Sequence, residues 1–148
     1  MVLGEKMSDM WGLTVRGICE YNDKILLLKL RSISAHDPCK WEIPGGKVKK
    51  CEYFDSALKR EYKEETGMDI SIDSLYHVIQ KNYTACKTGE KIKSIQLIMK
   101  VSTNSDEVLI SDEHDMYGWF TKEEINDMIK NNELTPPAKA AFCKTLLV

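Results

Sequence analysis

The chain has 148 residues, of which 43% are hydrophobic and 30% are charged, with a net charge of −2 and an isoelectric point near 5.9. This length and composition predict one globular domain with a substantial buried core. The acidic balance argues against a nucleic-acid polymer as partner, because surfaces that bind one are normally basic. The longest apolar runs, Ile25 to Leu28 and Leu146 to Val148, are too short to cross a membrane, so no membrane partner is expected.

In chain order, the N-terminal half predicts three strands and one helix. We expect residues 1–10 to be a flexible N-terminal segment that precedes a single domain over residues 11–148. Apolar alternation, an Asn-Asp turn and a polar loop predict strands over Trp11–Cys19, Lys24–Leu30 and Lys40–Ile43. The segment from about Tyr53 to Thr66 contains no Gly or Pro and is followed by Gly67, which predicts a helix with a glycine C-cap.

The C-terminal half predicts three further strands and two helices. Strands over Ile70–Lys81 and Ile92–Val101 would form a hairpin around a Lys-Thr-Gly turn, and Met116–Phe120 predicts a short strand. Thr121 to Glu124 reads as a capping box that opens a helix, and a Pro-Pro pair begins a last helix running from Pro136 to about Leu146. This order predicts an α/β fold with a central mixed β-sheet and helices packed on both faces.

The predicted central helix has acidic residues on its apolar side. At about 100° per residue, Phe54, Ala57, Leu58 and Tyr62 form one apolar stripe, and Glu61 and Glu65 fall within it, with Glu64 beside it. Buried unpaired carboxylates are costly, and a hard cation with oxygen ligands would compensate them. Mg²⁺ suits such a site best, with Mn²⁺ as the second choice. The alternative is an ordinary charged helix with Arg60–Glu64 as a surface pair.

The same segment carries charged residues and glycines at a distinctive spacing. Residues 46–68 resemble the Nudix box, Gly-x5-Glu-x7-Arg-Glu-U-x-Glu-Glu-x-Gly-U with U apolar, and every charged and glycine position matches. Tyr62 stands where Leu, Ile or Val is usual, and Cys51 replaces a frequent glycine. The resemblance implies the α/β/α sandwich of Nudix proteins and metal-dependent hydrolysis of a diphosphate bond.

The resemblance also implies roles for individual residues. Glu64 and Glu65 would hold the metals together with the carbonyl oxygen of Gly45. Glu61 would bind metal or activate water. Arg60 would orient a neighbouring glutamate, and Glu52 would support the metal site.

Outside the box, the segment 112–119 resembles a Glu-His-x-Glu-x-x-Trp segment of the family, with Asp115 where a glutamate is more usual. By this resemblance Glu113 would be a further metal ligand or the general base; the alternative is an exposed acidic loop. We interpret His114 as a surface or structural histidine. Tyr83 is a candidate for stacking on a base, as are Trp41 and Phe142, although aromatic residues in such positions more often pack.

The expected activity is that of a MutT-like (d)NTP diphosphatase, which releases a nucleoside monophosphate and pyrophosphate. Dinucleoside polyphosphates, nucleotide sugars and ADP-ribose are alternative substrates, with ADP-ribose disfavoured because residues 80–84 contain no proline. From another class, the chain would be a Nudix module that binds nucleotides without cleaving them. The partner is therefore a nucleotide-type small molecule, and a homodimer is compatible with the family.

The five cysteines, Cys19, Cys39, Cys51, Cys86 and Cys143, are odd in number and widely spaced. This pattern predicts neither a zinc site nor a disulfide framework, and it favours reduced, mostly buried thiols in the cytoplasm. Residues 1–10 lack the apolar core of a signal peptide, which also favours a cytoplasmic protein.

Overall fold

The structure is a computed structural model that describes residues 7–85 and 87–148; the predictions for residues 1–6 and for Cys86 lie outside these ranges. Its strands are β1 (Met7–Tyr21), β2 (Lys24–Leu30), β3 (Trp41–Glu42), β4 (Gly45–Lys47), β5 (Ser71–Thr84), β6 (Lys91–Ser102) and β7 (His114–Phe120). Its helices are α1 (Phe54–Thr66), α2 (Lys122–Lys130) and α3 (Pro136–Cys143).

The strands form a mixed sheet, as the sequence predicts, and β1 is its central strand. It runs parallel to β6, with Trp11 opposite Lys93 and Cys19 opposite Val101, and β6 pairs antiparallel with β5. The C-terminal end of β1 turns directly into β2, which pairs antiparallel with both β3 and β7. The turn residues between β1 and β2 both have positive φ, which matches the right-handed twist of a tight hairpin.

Alternate residues of the sheet enter two separate core layers. Leu26 and Leu28 of β2 pack with Ala57, Leu58 and Tyr62 of α1. Their neighbours along β2, Ile25 and Leu27, point to the other face and pack with residues of α2 and α3: Ile125, Met128, Ala138 and Ala141. Because side chains alternate along a strand, one sheet separates α1 from α2 and α3, and the predicted sandwich is confirmed.

The structure differs from the sequence predictions at three places. Strand β1 begins at Met7 because its first residues pair with Lys91 of β6, so residues 7–10 belong to the sheet. The Gly-Gly-Lys segment of β4, which the sequence analysis does not predict as a strand, pairs antiparallel with β1. Helix α3 ends at Cys143 instead of about Leu146, because Lys144 takes a left-handed conformation and the chain then runs along β5.

The four cysteines in the described ranges are free thiols, but only Cys19 is buried, so the expectation of mostly buried thiols is wrong. Cys19 is covered because it lies on the α1 side of the sheet, where burial raises the pKa of its thiol to about 12. None of the helices in residues 7–85 and 87–148 has the length and apolar character needed to span a membrane.

Candidate active site

Helix α1 presents its three glutamates at three different depths. Ala57, Leu58 and Tyr62 are fully buried, and Glu65, which follows Leu58 by two turns, is only 4% exposed. The side chain of Glu61 is 16% exposed and that of Glu64 is 56% exposed. The helix begins after Tyr53 and ends at Gly67, whose φ of 70° is left-handed and whose N–H bonds to the carbonyl of Lys63. The predicted burial of Glu65 is therefore confirmed, whereas Phe54 is 38% exposed at the start of the stripe.

Arg60 binds three of the four glutamates of the box. Its guanidinium donates to both oxygens of Glu52, at 2.7 and 3.2 Å, and to Oε1 of Glu61 at 2.9 Å. Oε2 of Glu64 lies 3.3 Å from Nη1 of Arg60, the atom that also donates to Glu61. The surface i,i+4 pair therefore exists as part of a larger network of ion pairs. The two bonds to Glu52 fix the orientation of the Arg60 guanidinium, because a bidentate arginine–carboxylate pair is geometrically specific. Arg60 therefore sets where Glu61 points.

Glu52 is fixed from two sides. Its Oε1 atom also accepts a 2.7 Å hydrogen bond from the backbone N–H of Lys49, in the loop before α1. The bond from Arg60, followed by that from Lys49, lowers the pKa of Glu52 to about 2. Since Arg60 also donates to the carbonyl of Lys47, the pair ties α1 to the end of β4.

The glycines of β4 let backbone approach the acidic side chains. A Cβ atom on Gly46 would lie 2.6 Å from Oε1 of Glu61, and one on Gly45 would lie 2.6 Å from the Cα of Arg16. Gly45 is buried opposite Arg16 in the sheet. Glycine is needed at both positions because a side chain would displace either the carboxylate or the neighbouring strand.

Glu65 has no compensating partner of its own. Within residues 7–85 and 87–148, nothing donates a hydrogen bond to its buried Oε2 atom. Burial raises the pKa of Glu65 well above its usual range; Glu42 adds to the increase, Arg16 opposes it, and Glu61 and Glu113 raise it further. A buried carboxylate among other carboxylates is unfavourable unless a cation binds there.

Two residues that the sequence analysis did not select lie beside Glu65. One ligand atom each from Glu42, Glu65 and His114 falls within 4.8 Å of the others. His114 Nε2 lies 2.8 Å from Oε1 of Glu42, and the His114 side chain is only 1% exposed. The interpretation of His114 as a surface residue is therefore wrong, and the structural alternative is correct, because β7 carries it into the core. The signal that could have identified Glu42 is its position as the acidic residue just before Ile-Pro-Gly-Gly.

Arg16 connects this acidic cluster to the glycine strand. Its Nη1 atom donates to the carbonyl of Ile43 at 2.9 Å and lies 3.6 Å from Oε2 of Glu42. Its Nε atom donates to Oε1 of Gln96 at 3.1 Å. A residue on the central strand therefore holds the turn that precedes Gly45, a role that sequence spacing does not reveal.

Glu113 lies in the exposed loop that precedes β7, and its charge acts on Glu65. The loop is anchored to the end of α1, because Ser111 N–H donates to the carbonyl of Glu65 at 3.2 Å. The structure thus brings Glu113 into the electrostatic range of the box without a direct contact in the described residues.

A cleft of about 900 Å³ opens beside these groups. Glu42, Gly46 and Lys47 line it where it meets the box, and Tyr83 lines it farther along the sheet. Lys47 Nζ lies 4.7 Å from the centroid of the Tyr83 ring. Tyr83 therefore forms part of the cleft wall beside Lys47, and its role in stacking on a base stays a prediction.

The other two aromatic candidates for stacking lie in the core layer of α2 and α3. Trp41 packs edge-on against Phe120 with ring centroids 4.9 Å apart, and Phe142 packs against the same cluster. Their positions serve packing, in agreement with the alternative weighed from the sequence.

The donor set is suited to a hard divalent cation. Carboxylate oxygens of Glu42 and Glu65 lie within 4.8 Å of each other, and nothing in residues 7–85 and 87–148 donates to the buried Oε2 of Glu65. Glu61 and Glu64 share helix α1 with Glu65, and Gly45 lies on β4. Oxygen donors of this kind are those that Mg²⁺ and Mn²⁺ prefer, and His114 adds a nitrogen at the edge of the cluster.

Comparisons with known proteins agree with this arrangement. The sequence model of the NUDIX domain matches residues 11–142. The chain is 29% identical over 120 residues to the nucleoside triphosphatase NudI of Enterobacter sp. (strain 638), covering 77% of this chain and 84% of that protein. It is also 29% identical over 107 residues to the NudI of Klebsiella pneumoniae (strain 342), covering 69% and 76%.

Solved structures show the same fold. The MutT protein from Methanosarcina mazei Go1 superposes with a TM-score of 0.75 at 23% identity, covering 97% of this chain and 95% of that one. A MutT NUDIX hydrolase from Burkholderia pseudomallei gives a TM-score of 0.72 at 24% identity, covering 90% and 97%.

Proposed function

Because this chain belongs to the NUDIX domain family and is a hydrolase of that family, we propose that it is a (d)NTP diphosphatase. The observation that carries the proposal is Glu65, a buried carboxylate whose Oε2 atom has no hydrogen-bond donor within residues 7–85 and 87–148 and which lies beside Glu42 of the cleft wall. The name of the relatives that are 29% identical, nucleoside triphosphatase, supports a triphosphate substrate.

In the proposed reaction, a water oxygen attacks one phosphorus of the triphosphate as the bridging P–O bond opposite to it breaks. The products are a nucleoside monophosphate and pyrophosphate, and the water proton passes to a carboxylate of the protein. Glu65, Glu64, Glu61 and the Gly45 carbonyl would hold the divalent cation. When bound, Mg²⁺ or Mn²⁺ supplies neutralisation of the charge on the phosphate oxygens.

The residues of the chain itself position the acid–base group. Arg60 keeps Glu61 in one orientation, 2.9 Å from its guanidinium, and Glu52 keeps Arg60 in place. We assign proton acceptance to Glu61, and Glu113 is the second candidate because it lies on a loop beside Glu65. Turnover of Glu61→Gln and Glu113→Gln across pH distinguishes them, since loss of the base removes the acidic limb of the profile, the fall in activity at low pH.

A screen of hydrolysis with and without Mg²⁺ tests the proposal. The panel contains the ribo- and deoxynucleoside triphosphates, dinucleoside polyphosphates, nucleotide sugars and ADP-ribose, with products separated by chromatography. Release of pyrophosphate from triphosphates supports the proposal, and a preference for another compound assigns the cleavage to that class. Tight binding without turnover of any compound would instead identify a non-catalytic module.

Location in the cytoplasm and assembly into a homodimer stay predictions from the sequence. Sedimentation of the purified protein across a tenfold concentration range would measure the assembly.

A further inference from the structure

The floor of the cleft is a continuation of the core face of the sheet. On the α2 and α3 side, Ile18, Ile79 and Ile98 are buried in the core. Two residues farther along the same strands, on the same face, the side chains become polar, and these line the cleft: Arg16, Gln96 and Lys81, followed by Thr14 and Ser94. A face that is apolar under the helices is therefore polar where the helices no longer cover it.

Three neutral polar side chains on this floor are strongly buried. Gln96 is 5% exposed, Ser94 is 3% exposed and Thr14 is 8% exposed. Buried polar groups normally have hydrogen-bond partners. Gln96 accepts a hydrogen bond from Arg16, and all three side chains line the open cleft. These side chains are the convergent polar groups that a small-molecule pocket uses to orient its ligand.

The orientation of the Gln96 amide follows from its neighbour. Arginine has only donors, so the atom that faces Arg16 Nε at 3.1 Å must be the amide oxygen of Gln96. The NH₂ group is then left for a ligand, and it can only donate. The hydroxyls of Ser94 and Thr14 can donate or accept, so Gln96 alone of the three has a fixed polarity.

An uncharged part of the substrate suits the floor at Gln96, because the charge of Arg16 is already matched there; Lys81 lies farther along the floor, opposite Ser94. The charge of Arg16 is matched by Glu42 at 3.6 Å, and its N–H groups already bond Ile43 and Gln96. Thr14 and Gln96 are opposite each other in the sheet, two residues beyond the row of Arg16 and Gly45. The phosphates belong at Gly45 and the box, so the floor beyond them suits the nucleoside.

We propose that Gln96 reads the nucleobase, donating a hydrogen bond from its NH₂ group to an exocyclic carbonyl oxygen of the base. This proposal rests on the proposed function, because it takes a nucleotide as the occupant of the cleft. Gln96 thereby favours keto bases such as uracil and guanine over their amino counterparts, cytosine and adenine. It is a specificity-determining residue and takes no part in bond cleavage.

The test compares Gln96→Glu with wild type on pairs of substrates that differ only at this edge of the base. The glutamate keeps an oxygen toward Arg16 and replaces the donor by an acceptor. The ratio of kcat/KM for UTP over CTP should fall on the order of 10- to 100-fold, and that for GTP over ATP should fall too. Any uniform effect of the new charge on phosphate binding cancels in the ratio.

Controls keep the outcome decisive. Gln80→Glu introduces the same charge on an exposed residue of β5 outside the cleft, and its ratios should equal those of wild type. If Gln96→Glu fails to fold, Gln96→Met removes the donor without adding charge and should bring the ratios toward one. Ratios unchanged within twofold, or a loss equal for all bases, would overturn the proposal.

The same ratios taken from dissociation constants separate this inference from the proposed function. If no triphosphate is hydrolysed, titration calorimetry with the four nucleotides still measures base preference. A shift in binding ratio without turnover supports the role of Gln96 and refutes the diphosphatase, whereas turnover with unchanged ratios does the reverse.

Discussion

The carboxylate of Glu65 and its neighbour Glu64 are adjacent in the sequence but stand in opposite environments. Glu65 is 4% exposed, and its Oε2 has no donor in the part of the chain that the structure describes, whereas the Glu64 side chain is 56% exposed and paired with Arg60. The buried carboxylate of Glu65 destabilises the metal-free fold, whereas the exposed carboxylate of Glu64 has little effect on its stability. Substitution at either position should therefore lower turnover, but only substitution of Glu65 should change the stability of the metal-free protein.

Replacing Glu65 by Gln should raise the stability of the metal-free protein while lowering turnover by several orders of magnitude. The neutral amide removes a buried charge and can donate to the surrounding carboxylates, for a gain on the order of 1–3 kcal/mol. Urea denaturation in EDTA measures the change. Glu64→Gln is the matched control, with lower turnover and stability within about 0.5 kcal/mol of wild type. A Glu65→Gln protein less stable than wild type in EDTA would contradict this account.

Glu52 should make the fold sensitive to acid. Folding lowers its pKa from 4.5 to about 2, mainly through Arg60 and Lys49 N–H. A carboxyl with a depressed pKa stabilises the fold at any pH above 4.5, and this stabilisation is lost as the pH falls from there to about 2.

Glu52→Gln should therefore show a smaller loss of stability than wild type between pH 4.5 and 2. Urea midpoints measured across this range provide the comparison. Glu20→Gln, at an exposed position of β1, should retain the wild-type slope. Equal slopes for all three proteins would show that the pair with Arg60 does not shift the titration of Glu52.

At the scale of elements, α1 is joined to the sheet by a residue that departs from the usual box. Tyr62 is fully buried, and its hydroxyl donates to the backbone carbonyl of Gly17 in β1. A Cβ atom on Gly17 would lie 3.0 Å from the Tyr62 ring, so the small residue makes room for the large one. The atypical tyrosine thus adds a hydrogen bond between helix and strand to the apolar packing of its ring.

Tyr62→Phe should destabilise the protein by about 1–3 kcal/mol, because it leaves a buried carbonyl without its donor. Turnover should change little, since the ring still fills its site and α1 keeps its position. Urea denaturation and steady-state kinetics measure both quantities. Tyr53→Phe, at a residue 82% exposed, should leave stability unchanged. A large fall in turnover for Tyr62→Phe would mean that the hydroxyl also sets the position of the glutamates.

A structural feature can be predicted from the sequence when the residues that form it are close together in the chain. The glutamates of α1 follow from helical periodicity and two bounding glycines, so Glu65 is predicted to be buried and is found so. His114 and Glu42 are 72 residues apart, and Arg16 and Gln96 are 80 residues apart. Their contacts depend on strand register across the whole sheet, which one sequence does not specify. For the same reason, β4 is missed: its glycines are poor strand formers, and only the pairing with β1 makes them a strand.

At the scale of the whole molecule, metal binding and folding should be linked. Metal that binds only the folded chain stabilises it by about 2.7 kcal/mol at a hundredfold excess over its dissociation constant. The midpoint temperature of thermal unfolding should therefore rise with increasing Mg²⁺ in wild type and stay constant in Glu65→Gln. Glu20→Gln should respond as wild type does. A midpoint independent of Mg²⁺ in wild type would contradict the assignment of the acidic cluster as the metal site.

The residues assigned to bond cleavage and those assigned to base selection stand on different elements. The first group lies mainly on α1 and β4, while Gln96, Ser94 and Thr14 lie on β6 and β1. Arg16 links the two groups, through Ile43 and Gln96. A gene duplicate could therefore acquire a new substrate by mutations in two strands while its catalytic helix stays unaltered. Protein engineers could follow the same route and retarget the enzyme without rebuilding its chemistry.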